Sequence, residues 1–138
     1  MPSLSKLEQA LKNFQRAIAA GRMPHAVLVA GHPRGAGAAF AERLLAQLFN
    51  EPDPPRLRRH VDIQWIEPES KARQIRVEEQ IRPLIEFMGL TSYEGGWKAG
   101  VILFADRLSS GAQNALLKTL EEPPPRSLLL LVTDSPDA

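Results

Sequence analysis

Cysteine is missing altogether from these 138 residues. Its absence excludes disulfides, thiolate nucleophiles and Cys-based zinc sites together. An excess of either charge is also missing: 17 Lys and Arg stand against 16 Asp and Glu, leaving no global electrostatic case for a dedicated nucleic-acid binder. Aromatic residues make up 6%. Trp65 and Trp97 have no interleaved basic stripe, so they read as residues packing against or bordering a sheet rather than as base-stacking platforms. No apolar run approaches the roughly 18 residues of a membrane span. The opening "MPSLSKLEQALKNF" mixes charge into every turn and carries no signal-peptide core. A cytoplasmic protein with no membrane partner is the expectation. His25, His32 and His60 match no common ligand spacing. No metal and no cofactor are therefore expected, and His25 reads as a packed or capping histidine at the head of a strand.

Proline, by contrast, is plentiful. There are twelve, six of them gathered at "EPDPP" (51–55) and "PPP" (123–125), marking connections. Leu7, Ala10, Leu11, Phe14, Ala17 and Ile18 recur at helical spacing, with Ser3 or Ser5 as cap and Gly21 as stop. A buried strand "HAVLVA" (25–30) precedes a Gly-rich turn and a helix over 38–49, with Leu44, Leu45 and Leu48 inward. "NEPDPPRLRRH" reads as a loop, and "VDIQWIEP" (61–68) alternates as a strand. A second helix sets Val77, Ile81, Leu84, Ile85 and Met88 on one face; Pro83 requires it either to start late or to kink. "GVILFA" (100–105) and "SLLLLVT" (127–133) are the last two strands, separated by a helix capped by Ser109 or Ser110. The basic runs "RLRRH" (56–60) and "KARQIR" (71–76) read as solvated loops. Strand and helix thus alternate four times, which predicts an α/β fold: a parallel sheet with helices on both faces.

Residues 31–40, "GHPRGAGAAF", lie at a carboxyl strand end, where such sheets bind ligands. A working phosphate loop cradles phosphates with backbone N–H groups, neutralises them with Lys and sets a Ser/Thr hydroxyl on Mg²⁺. With Gly37 on the glycine before that Lys, Gly35 takes the middle glycine, Ala38 replaces the Lys and Ala39 the hydroxyl. The first glycine falls on His32, with Gly31 one residue early; Pro33, Arg34 and Ala36 complete the loop. Its backbone is kept and its charge is gone. Arg34 reads as a solvated loop residue. The dinucleotide fingerprint fails because Phe40 is too large for the third glycine position. ATPases of this architecture end the next strand but one in Asp-Glu, for Mg²⁺ and for the attacking water. Here that pair reads Leu103-Phe104, and Asp106 lies two residues farther on. Two separate motifs have lost their chemistry, which argues for a fold kept without ATPase activity.

"GAQNALLKTLEEPPP" (111–125) closely resembles the N-A-L-L-K-x-L-E-E-P segment shared by bacterial clamp-loader AAA+ subunits. The order of "HAVLVAG", "HVDIQWIEPE", "IRVEEQIRPLIEFMGLTSYEGGWKAGVILFADRL" and "LLLLVTDSPDA" extends the likeness from about residue 5 to the end. The pattern looks like the N-terminal AAA+ domain of the δ′ type within DNA polymerase III. Motor subunits (γ/τ) of that family keep both nucleotide motifs, whereas δ′ subunits often lose them. The resemblance implies a non-hydrolysing scaffold that helps load the sliding clamp in DNA replication. Polymerase activity would reside in other subunits. Its partners would be δ and γ/τ, with DNA and the clamp met through the complex. Asn114, Lys118, Glu121 and Glu122 are interface candidates, Lys118 being spaced to pair with either glutamate. The family's four-Cys zinc module has no counterpart here.

On this reading, 1–138 is an N-terminal AAA+ domain cut before its fifth strand, its Ser-Arg-Cys motif, and the lid and collar domains. An unpaired edge on the first strand would then be covered by self-association, and a clean monomer by light scattering at high concentration would count against that. The alternative is an active γ/τ-like ATPase with an unorthodox site built on Arg34 and Asp106. A direct DNA-binding module is weakened by the near-neutral charge, and salt-dependent DNA affinity would revive it.

Overall fold

The computed structural model describes residues 4–70, 73–93 and 96–135, with side chains from Glu8 onward. Four strands form one parallel sheet: β1 (Ala26–Ala30), β2 (Ile63–Ile66), β3 (Lys98–Leu103) and β4 (Ser127–Thr133), in the order β1-β4-β3-β2. Helices α1 (Leu4–Ala19), α2 (Ala36–Phe49), α3 (Arg82–Gly89) and α4 (Ser110–Glu121) cover its two faces. The expected α/β architecture is the one observed.

Alternation along the central strands builds two cores. From β3 and β4, Val101, Leu128, Leu130 and Val132 point to one side, where they meet Leu11, Leu44, Leu45 and Leu57. Ile102 and Leu129 point to the other, against Ile81, Leu84 and Leu116. Both faces of β4 are covered, which is why its sequence is almost continuously apolar. Gly100 lets α3 approach β3, because a Cβ there would lie 2.8 Å from Leu84 Cδ1.

Several element boundaries differ from the sequence expectation, each for a local reason. The 50–60 segment is not a bare loop, since Pro54–Arg59 forms a 3₁₀ helix whose Leu57 is fully buried. Arg58 in it lies 4.0 Å over the Trp65 ring and binds Glu42 at 2.9 Å, while Trp65 Nε1 donates to the Leu57 carbonyl. The "RLRRH" run, expected as a solvated loop, is therefore partly packed, against a Trp65 that borders the sheet as expected. Before α3, Val77–Ile81 winds as a wider π turn, with the Ile81 N–H donating to the Arg76 carbonyl. Pro83 thus falls in the first turn of α3, where its missing N–H costs no helical hydrogen bond.

Strand β3 begins two residues early and stops at Leu103, because Phe104 adopts a left-handed conformation (φ 62°). Ser109 caps α4 by accepting from the Ala112 N–H at 3.1 Å, and Ser110 is its first residue. Ser5 lies within α1; Ser3 and the Leu7 side chain fall outside the described residues, as do Lys71 and Ala72 of the second basic run. His25 is exposed rather than packed, and its carbonyl accepts from the Leu129 N–H. Among the described residues β1 pairs only with β4, and Leu28 on this edge is 54% exposed. No described helix is long and apolar enough to cross a membrane.

Candidate functional site

The Gly-rich loop leaves β1 at its carboxyl end and turns into α2. The Gly31 N–H donates to the Thr133 carbonyl at 2.9 Å, tying the loop to the end of β4. Inside the loop, the His32 carbonyl accepts from the Gly35 and Gly37 N–H groups, both at 3.0 Å. The Arg34 N–H donates to His32 Nδ1 at 3.1 Å. Much of the loop's donor capacity is thus spent on itself. Within the first turn of α2, the Ala36 and Ala38 amides have no backbone partner among the described residues. They are the donors left for an anion.

Gly37 is required by packing, not by flexibility. A Cβ there would sit 2.5 Å from the Gly31 oxygen and 2.8 Å from Val132 Cγ1. Gly37→Ala is expected to destabilise the chain by about 2–3 kcal/mol through overpacking. Urea unfolding of the variant checks this, and an unchanged midpoint would contradict the close approach.

Charge does not return where the alignment expects it. Pro33, Gly37 and Ala38 are buried, with Ala38 joined to the larger core; Ala39 is exposed. Leu103 is buried, and Phe104 turns its ring toward the loop. The His32 ring meets Phe104 edge-on at 6.1 Å. The guanidiniums of Arg34 and Arg107 lie 5.5 and 5.6 Å from its centroid. Arg34 also approaches Glu67 at 3.8 Å. A cavity of about 470 Å³ opens here, lined by His32, Arg34, Glu67, Pro68, Glu69, Ser70, Phe104 and Arg107. Of the loop residues, only His32 and Arg34 line it.

Asp106 is committed elsewhere. Its Oδ1 accepts from Thr133 Oγ1 at 2.8 Å, and that hydroxyl accepts in turn from the Ser135 N–H at 2.9 Å. Thr133, 3% exposed, therefore joins the ends of β1 and β4 and the turn after β3. Neither Thr133 nor Glu67 was singled out from the sequence. The available signal was a polar residue closing an otherwise apolar strand at its carboxyl edge.

Asn114, Lys118, Glu121 and Glu122 lie exposed along α4 or at its end, beside Leu117 at 59% exposure. Among the described residues Lys118 forms no ion pair with either glutamate, so the spacing rule is not used here. No group of three or more described His, Asp or Glu residues could hold a metal ion.

The family described as "DNA polymerase III, delta subunit" matches residues 6–138. DNA polymerase III subunit delta' of Pseudomonas aeruginosa is 40% identical over 77 residues, covering 56% of this chain and 23% of that protein. The delta' subunit of Bacillus subtilis is 30% identical over 139 residues, covering 91% of this chain and 41% of that protein. The tau subunit of the same organism is also 30% identical over 139 residues, covering 94% of this chain and 24% of the relative. The chain thus spans less than half the length of each. A crystal structure of a gamma subunit-related protein from Thermotoga maritima superposes with a TM-score of 0.72 at 23% identity, over 91% of this chain and 39% of that one, a likeness of fold. Since the family match runs through nearly the whole chain, this protein belongs to the DNA polymerase III delta-subunit family and is a clamp-loader-family protein with the AAA+ fold.

Proposed function

We propose that this chain is the N-terminal domain of a δ′-type subunit that serves the clamp loader as a scaffold and does not hydrolyse ATP. The observation that carries this reading is Phe104. Its ring stands beside the loop at the position where the resemblance puts the acid that activates water, held between His32, Arg34 and Arg107. An uncharged ring can neither hold Mg²⁺ nor orient an attacking water. Ala38 and Ala39 remove the complementary charge from the other side of the site. An active site built on Arg34 and Asp106 is disfavoured because Arg34 stacks on Phe104 near Glu67, and Asp106 accepts from Thr133.

In this reading δ and γ/τ subunits are the partners, and DNA and the sliding clamp are reached through the assembly. The exposed strip of α4 around Leu117 and Lys118 supports one contact surface, because a 59% exposed leucine beside unpaired charge suits a subunit rim better than a solvated helix face. A photo-crosslinker placed at Leu117 is expected to capture δ or a γ/τ subunit from the same organism. Failure to capture either, with the labelled chain still folded, would remove α4 from the interface.

A further inference from the structure

At the opposite end of the sheet from the Gly-rich loop, β3 opens on a buried lysine. Lys98 is 4% exposed, yet its ammonium makes no close hydrogen bond among the described residues. Its nearest neighbours are the Phe87 ring, 3.7 Å away, and Asp62 Oδ1 at 3.9 Å. That same Asp62 oxygen already accepts from the Tyr93 N–H at 2.8 Å. A buried ammonium carries three donors that strongly favour an oxygen partner. Lys98 also lines a cavity of about 260 Å³ together with Thr91, Ser92, Pro124 and Arg126. Lys98, Arg126, Thr91 and Ser92 line it, no described lining residue is acidic, and the Asp62 carboxylate stands beside the cavity, 3.9 Å from the Lys98 ammonium.

We propose that this cavity is an oxyanion site centred on the Lys98 ammonium, with the Thr91 and Ser92 hydroxyls as further donors. Its volume lies below the roughly 300 Å³ at which drug-sized ligands begin. A tetrahedral anion of the size of phosphate, with water around it, matches both that volume and a lining of donors. A carboxylate offers the same charge with a planar head. Nothing in this site depends on the nucleotide-loop reading, since no residue is shared between the two.

The test is an amide ¹H–¹⁵N titration of the chain with inorganic phosphate at constant ionic strength, and separately with acetate. Saturable shifts at Thr91, Ser92 and Lys98, with a Kd of about 1 mM, are expected for phosphate, with weaker ones for acetate. Lys98→Met should abolish them. If that variant does not fold, Thr91→Val combined with Ser92→Ala should weaken phosphate by about 5-fold. Shifts that stay linear and scattered, that centre on Ala36 and Ala38, or that survive these substitutions unchanged would overturn the site. Acetate binding as tight as phosphate would replace the tetrahedral anion with a carboxylate.

Discussion

Mg²⁺-ATP titrated into this chain is expected to release no binding heat at millimolar nucleotide, whereas an Ala38→Lys/Ala39→Thr double variant is expected to bind it. The loop already turns tightly enough, because Gly37 packs directly on Gly31 and α2 presents the Ala36 and Ala38 amides. On the proposed reading, what it lacks is the lysine and the hydroxyl at positions 38 and 39 that would meet a triphosphate. A charge-assisted contact contributes about 1.5–3 kcal/mol, so restoring the lysine and hydroxyl together should raise affinity by about 100-fold or more. Ala38 is buried, so the introduced lysine must run its stem along the loop and keep its ammonium outside. The same variant should still not release phosphate, because Leu103 and Phe104 supply no acid. Turnover is expected only after Leu103→Asp and Phe104→Glu are added. Calorimetry and a phosphate-release assay check both halves. Micromolar binding by the unsubstituted chain would sink the scaffold reading, and silence from the double variant would show that the loop's shape is not receptive.

The largest loss of stability is expected at Asp62. It is 1% exposed, holds the Tyr93 N–H and faces the buried Lys98 ammonium, and its own carbonyl accepts from the Ala99 N–H. Asp62→Ala leaves that ammonium buried without its countercharge, which costs about 3–5 kcal/mol. Replacing both partners by apolar residues removes the stranded charge. Asp62→Ala/Lys98→Met should therefore be more stable than Asp62→Ala alone, despite carrying one more substitution. Chemical denaturation of the wild type, both single variants and the double variant gives the coupling directly. Additive losses would mean that 3.9 Å is too far for the pair to matter.

Much of this fold was legible in the chain. Apolar alternation, proline clusters and helical spacing placed four strands and four helices, because each element must bury one face and the pattern of burial is written in residue order. The strand 127–133 lies where expected, and of the two expected caps, Ser109 and Ser110, Ser109 is the one used, since both features depend on neighbours a few residues away. The ends of β3 and the π turn before Pro83 were not legible. A strand ends where its pairing ends, and β3 is paired on both sides by segments about 30 residues distant.

The candidate site divides the same way. That Ala38, Ala39, Leu103 and Phe104 carry no charge is a matter of residue identity and is read from the chain alone. Only the tertiary structure decided that Phe104 turns back onto His32 and Arg34, that Asp106 is held by Thr133, and that Lys98 lies buried beside Asp62. Those partners are 27 to 72 residues apart, at 27 for Asp106–Thr133, 36 for Asp62–Lys98, 70 for Arg34–Phe104 and 72 for His32–Phe104. Side-chain charge and shape are local properties, but which side chains meet is set by how a parallel sheet brings distant strand ends to one edge.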